Sequence, residues 1–151
     1  MAGRRLYVFD TSVVLSLLGQ NDTDRARRDR LNALLAARRE DIFAVTAPGL
    51  AESFGCPMPA GIQVLDMTAA AGLIAGRLRQ VWFEGLPRDI RKHVNPHMVK
   101  VDHLILATAE AWTATALYTE DRHFATLAER AKLTVEVRRL PPVPIQGDLG
   151  L

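Results

Sequence analysis

Five short runs rich in β-branched and aromatic residues alternate with longer stretches of helical periodicity, and this alternation constrains the chain more than anything else in it. The runs cover residues 5–9, 42–45, 62–65, 116–119 and 133–137. Each is nearly continuous in apolar character, as in strands covered on both faces. Between them, residues 11–18, 24–39, 48–54, 68–83, 98–113 and 122–131 read as helices. Strands alternating with helices predict an α/β three-layer sandwich, with a mostly parallel central sheet of about five strands and helices on both faces. Residues 84–97 contain Gly85, Pro87, Asn95 and Pro96 and read mainly as a loop. Pro141-Pro142-Val143-Pro144 excludes regular structure. One domain is therefore expected over residues 1–140, followed by a proline-rich tail over 141–151.

A chain of 151 residues suits one domain able to bury its own core. The single cysteine, Cys56, permits no internal disulfide, which fits a reducing compartment. Its Gly-Cys-Pro setting reads as an incidental loop position. No apolar stretch approaches the ~20 residues of a membrane span. The apolar run after Arg4 and Arg5 is cut by Asp10 too early for a signal peptide. A cytoplasmic location without membrane contact is expected. The net charge of +2 does not by itself announce a nucleic-acid partner.

Smaller motifs have ordinary readings. The arginine-rich helix over 24–39 carries an apolar stripe of Leu31, Leu34 and Leu35. It reads as a solvated helix, with Asp24–Arg28 and Arg25–Asp29 paired at i,i+4. Gly72 and Gly76 are expected to let their helix pack closely on the sheet. His93 and His97 are separated by Pro96, which breaks the helix a zinc pair would need.

Four acids stand out by position. Leu6-Tyr7-Val8-Phe9 stops at Asp10, so an apolar strand ends on a carboxylate. Asp121 follows the fourth expected strand, Glu52 the second, and Asp102 opens an apolar helix. Functional groups of open α/β sheets gather at the carboxyl ends of the strands, so all four could converge on one edge. Clustered carboxylates raise each other's pKa, and a hard divalent cation removes that cost. Mg²⁺ or Mn²⁺ in such a cage, with an activated water, suits phosphodiester hydrolysis. Singly, an acid in such a place is more often a helix cap or a surface salt-bridge partner, and it is the conjunction of four in this order that is specific. A phosphatase of the haloacid dehalogenase kind would want a second aspartate two residues after Asp10, where Ser12 stands.

In this order the acids carry a resemblance. Tyr7-Val8-Phe9-Asp10-Thr11-Ser12, Ala51-Glu52, Asp102-His103-Leu104-Ile105-Leu106-Ala107-Thr108-Ala109 and Thr119-Glu120-Asp121-Arg122-His123-Phe124 together resemble the PIN-domain nucleases. That family includes the toxin ribonucleases of bacterial toxin–antitoxin pairs. The resemblance implies a Mg²⁺- or Mn²⁺-dependent endoribonuclease with Asp10, Glu52, Asp102 and Asp121 as its acidic set. It implies Ser12 and Thr119 as supporting polar groups, and leaves an antitoxin protein and a second copy of the chain open as partners. His123 stands where many relatives have a further acid. Arg88, Arg91, Lys92 and Lys100 precede Asp102 and are expected to meet RNA phosphates. The rival expectation is a PIN-like module that binds RNA or a protein without cutting.

Overall fold

The computed structural model describes residues 3–53 and 56–143. Five strands form one all-parallel sheet: β1 (Leu6–Phe9), β2 (Ile42–Thr46), β3 (Gln63–Leu65), β4 (Ala116–Tyr118) and β5 (Glu136–Arg138), in the order β3-β2-β1-β4-β5. The helices are α1 (Thr11–Leu15), α2 (Asp22–Ala37), α3 (Ala47–Glu52), α4 (Ala69–Glu84), α5 (Arg88–Arg91), α6 (Val101–Ala111) and α7 (Arg122–Arg130). The chain builds β1, β2 and β3 outward, then returns to place β4 on the other side of β1. The carboxyl ends of β1 and β4 therefore flank the point where strand order reverses, the place where open α/β sheets bind ligands.

Period-two alternation sorts the strand side chains into two cores. Val8, Ala44 and Leu117 face one layer, with Ala75 and Leu78 of α4, Ile105 and Leu106 of α6, and Phe124 of α7. Tyr7, Phe9, Phe43, Val45 and Tyr118 face the other, with Val13 of α1 and Leu31 and Leu34 of α2. In that second core Phe9 and Phe43 stack with centroids 5.6 Å apart and planes 4° from parallel. Arg38 closes its edge, donating from a guanidinium nitrogen to the Tyr7 hydroxyl at 2.8 Å. Among the described residues no helix is long and apolar enough to cross a membrane.

Several boundaries move from the sequence reading, each for a local reason. Helix α1 stops at Leu15 rather than residue 18. Asn21 starts α2 early by accepting from the Asp24 amide at 2.8 Å. Helix α6 begins at Val101 rather than residue 98, because His103 Nδ1 accepts the Lys100 amide at 3.2 Å. The segment read as a loop over 84–97 contains α5, which follows Pro87 and has Asp89 in its first turn. The fifth strand lies at Glu136–Arg138, not residues 133–137. Lys132 takes a left-handed φ of 54° after α7, and the Leu133 amide returns to Ala128. The Glu110 carboxylate then takes the amides of Thr134 and Val135 before pairing can begin.

Two further expectations are corrected. The Asp24–Arg28 and Arg25–Asp29 pairs do not form among the described residues; Arg25 meets Asp22 at 3.7 Å and Arg28 reaches the Leu17 carbonyl. Gly72 and Gly76 do not pack against the sheet. The buried stripe of α4 is Ala71, Ala75 and Leu78, while a methyl on Gly76 would meet nothing within 4 Å. Cys56 lies outside helix and strand, as its loop reading has it, and is buried there, with its thiol pushed up by desolvation. Residues 54–55, which include the expected end of the third helix, and 144–151 of the tail lie outside the described residues.

Candidate functional site

Strand β1 delivers Asp10 to the switch point. Its amide continues the ladder, donating to the Tyr118 carbonyl at 2.9 Å. Asp10 occupies the N-cap position of α1, where an aspartate ordinarily bonds a helix amide. It makes no such bond. Its Oδ2 instead accepts from Ser12 Oγ at 2.9 Å and from Thr119 Oγ1 at 2.8 Å. The residue is 4% exposed. No described donor is bonded to its other oxygen, so the carboxylate is aimed rather than consumed by capping.

The two hydroxyls tie the strand ends together. Ser12 Oγ accepts the Glu120 amide at 3.3 Å, and Thr119 Oγ1 accepts the Asp121 amide at 3.0 Å. Thr119→Val should cost about 1–2 kcal/mol, because a buried carboxylate loses a donor and an amide loses its acceptor. Thr119→Ser should restore most of it; urea midpoints of the two variants are the measurement.

Glu52 ends α3, and its Oε2 accepts from Thr11 Oγ1 at 2.8 Å. Close packing of α3 sets this position. A methyl on Gly49 would stand 3.1 Å from Thr46 Oγ1 and 3.6 Å from Thr11 Oγ1 and Ile105. Thr46 Oγ1 caps α3 by accepting the Gly49 amide. From sequence the Thr11 hydroxyl, like that of Ser12, is expected to orient Asp10; the structure gives it to Glu52 instead, a contact 41 residues away that nothing local announces.

Asp102 lies half-buried in the first turn of α6. Burial foremost, and then the charges of Asp10, Asp121 and Glu52, hold its carboxyl above the usual carboxylate range; Lys100 offsets part of this. The four acids selected from sequence thus share one electrostatic neighbourhood. Asp121 also does ordinary work there: as N-cap of α7 it accepts the His123 amide at 2.8 Å. The donor set is all oxygen, which fits Mg²⁺ or Mn²⁺. The set is open, however. Among the described residues no three His, Cys, Asp or Glu side chains stand close enough together to hold an ion.

The basic residues divide. Arg88 and Lys92 are exposed. Arg91 donates its Nε to the Leu86 carbonyl at 2.9 Å and so helps hold its own segment. Lys100 offsets part of the charge around Asp102, and its Nζ lies 4.4 Å from the centroid of the Trp82 ring. His97 meets Arg79 through Nδ1 at 3.3 Å. Trp82 and His103 are neighbours in the same region, with rings 5.5 Å apart, and neither stood out in the sequence. Scans against protein-family models and against curated proteins give no match for this chain.

Proposed function

We propose that the chain is a PIN-like endoribonuclease dependent on Mg²⁺ or Mn²⁺, acting as the toxin of a toxin–antitoxin pair. The reading is supported above all by one observation: Asp102 feels the charges of Asp10, Glu52 and Asp121 beside the switch point of a parallel sheet. Asp10, Glu52, Asp102 and Asp121 would hold the ion, which supplies Lewis acidity toward phosphoryl oxygens. Ser12 and Thr119 fix the Asp10 carboxylate, and Thr11 fixes Glu52. Water attacks phosphorus, a carboxylate accepts its proton, and the bond to the leaving ribose oxygen breaks as that oxygen is protonated. The choice of RNA rests on the resemblance carried by the four motifs.

A second reading, a module that binds RNA or protein without cutting, is favoured by the openness of the acid set. Labelled single-stranded RNA incubated with Mg²⁺, Mn²⁺ or a chelator separates the two. Cleavage is expected with either ion and none with the chelator. Mn²⁺ should also raise the melting temperature, by about 2.7 kcal/mol of stability at a hundred times its Kd. No cleavage and an unmoved melting temperature select the second reading. The toxin role is tested by asking whether a small open reading frame precedes the gene and whether its product blocks cleavage.

A further inference from the structure

We infer that the cleft beside Asp102 takes a single nucleobase of the RNA strand, next to the phosphodiester that is cut; this rests on the nuclease reading above. The cleft has a volume of about 270 Å³ and lies between the end of α4 and one face of α7. Its apolar walls are Trp82 and Leu86 on one side and Phe124 and Leu127 on the other. Drug-sized ligands occupy roughly 300–1,000 Å³, so this volume suits one heterocycle rather than an extended molecule.

The charges around the cleft argue for the same occupant. Lys100 and Arg130 border it, with Asp102 at its edge. The Arg130 guanidinium lies against Gly85, its Nη1 1.9 Å from where a Cβ would be, so any larger residue there would make this flexible side chain swing aside. Arg130 makes no ion pair among the described residues. Two cations flanking an apolar slot fit a chain whose bases are neutral and flat and whose backbone is anionic. An acidic ligand placed wholly inside would meet Asp102. The indole of Trp82, over which the Lys100 ammonium now lies 4.4 Å from the ring centroid, becomes the surface on which a base stacks when that ammonium turns to the RNA phosphate. His103 adds selectivity. Its Nδ1 accepts the Lys100 amide, so the neutral ring keeps its proton on Nε2, a donor in a lining that also includes the polar side chains of His123 and Thr126.

The chain has two tryptophans, which makes occupancy readable. Trp112 lies at the far end of α6, donating to the Asp66 carbonyl at 2.9 Å. In a Trp112→Phe protein, fluorescence reports Trp82 alone. The probes are the four RNA homohexanucleotides, titrated with chelator present so that nothing is cut. Saturable quenching is expected, with one base binding several-fold tighter than the rest. By anisotropy of the dye-labelled hexanucleotide, Trp82→Ala should weaken binding roughly ten-fold or more, and Trp82→Phe should recover most of it. Absence of quenching by all four probes, or unchanged affinity in Trp82→Ala, overturns the cleft assignment even where the chain cuts RNA. Quenching that persists in a protein unable to cut with Mg²⁺ or Mn²⁺ supports the cleft and removes the nuclease reading instead.

Discussion

On the nuclease reading proposed above, Asp10→Asn and Asp102→Asn should each lower RNA cleavage by at least about a hundred-fold, the scale for losing a group that stabilises charge in the transition state. Their effects on stability differ, and the difference identifies the site. Asp102 has its carboxyl held above the usual range by burial and by three neighbouring acids. A carboxyl whose folded-state pKa is raised is more costly to ionise in the folded protein. Stability from this group is therefore lost as pH rises from the unfolded value through the folded one. Asparagine removes the charge, so Asp102→Asn should be more stable than the parent at neutral pH without metal. Asp10 lacks that advantage, because its carboxylate already has the Ser12 and Thr119 hydroxyls as donors. Asp10→Asn should be neutral or mildly destabilised. Both variants should lose the Mn²⁺-dependent rise in melting temperature. Cleavage assays with denaturant melts in chelator check this together. An Asp102→Asn protein that still cuts at the parent rate removes Asp102 from the site, and one that is destabilised makes its role in α6 structural.

The strand–helix alternation was legible because each strand is a short apolar run bounded by polar residues. It predicted three layers and placed Asp10 at a strand tip. The structure has that architecture, with every strand parallel. The acids were legible for the same reason, since a carboxylate that ends an apolar run is conspicuous. What escaped the sequence depends on contacts between distant segments. The cleft gathers Trp82, Lys100 and Leu127 from three separate elements, and no local pattern marks them as neighbours. His103 is hidden in an apolar helix, where its polar role is set by the Lys100 amide. The fifth strand was displaced because Glu110, from α6, takes the amides on which it would have begun. The glycines of α4 were misread because spacing alone does not say which side of a helix faces the core. Ala71, Ala75 and Leu78 take that side.

Acid should destabilise the fold through His103, and the range of pH is defined. The ring is 1% exposed, and its pKa is lowered to about 4, first by burial and then by the charges of Lys100 and Arg79. In the unfolded chain it returns to about 6.5. Between those values the unfolded state holds more protons than the folded state, so stability rises with pH across that window. Read downward, stability is full above about 6.5 and is lost as pH falls toward 4, by on the order of 3 kcal/mol in all. Below that, both states are protonated and this contribution stops changing. Asp102 works in the opposite sense, since protonating its raised carboxyl relieves the fold as pH drops. The slope is cleanest in an Asp102→Asn background. There, urea midpoints measured from pH 7 to 4 should fall steadily. In the double variant that adds His103→Asn, the side-chain oxygen can still accept the Lys100 amide but cannot titrate, and the fall should flatten. A slope that survives His103→Asn would assign the proton uptake to another group and remove the buried imidazole as its source.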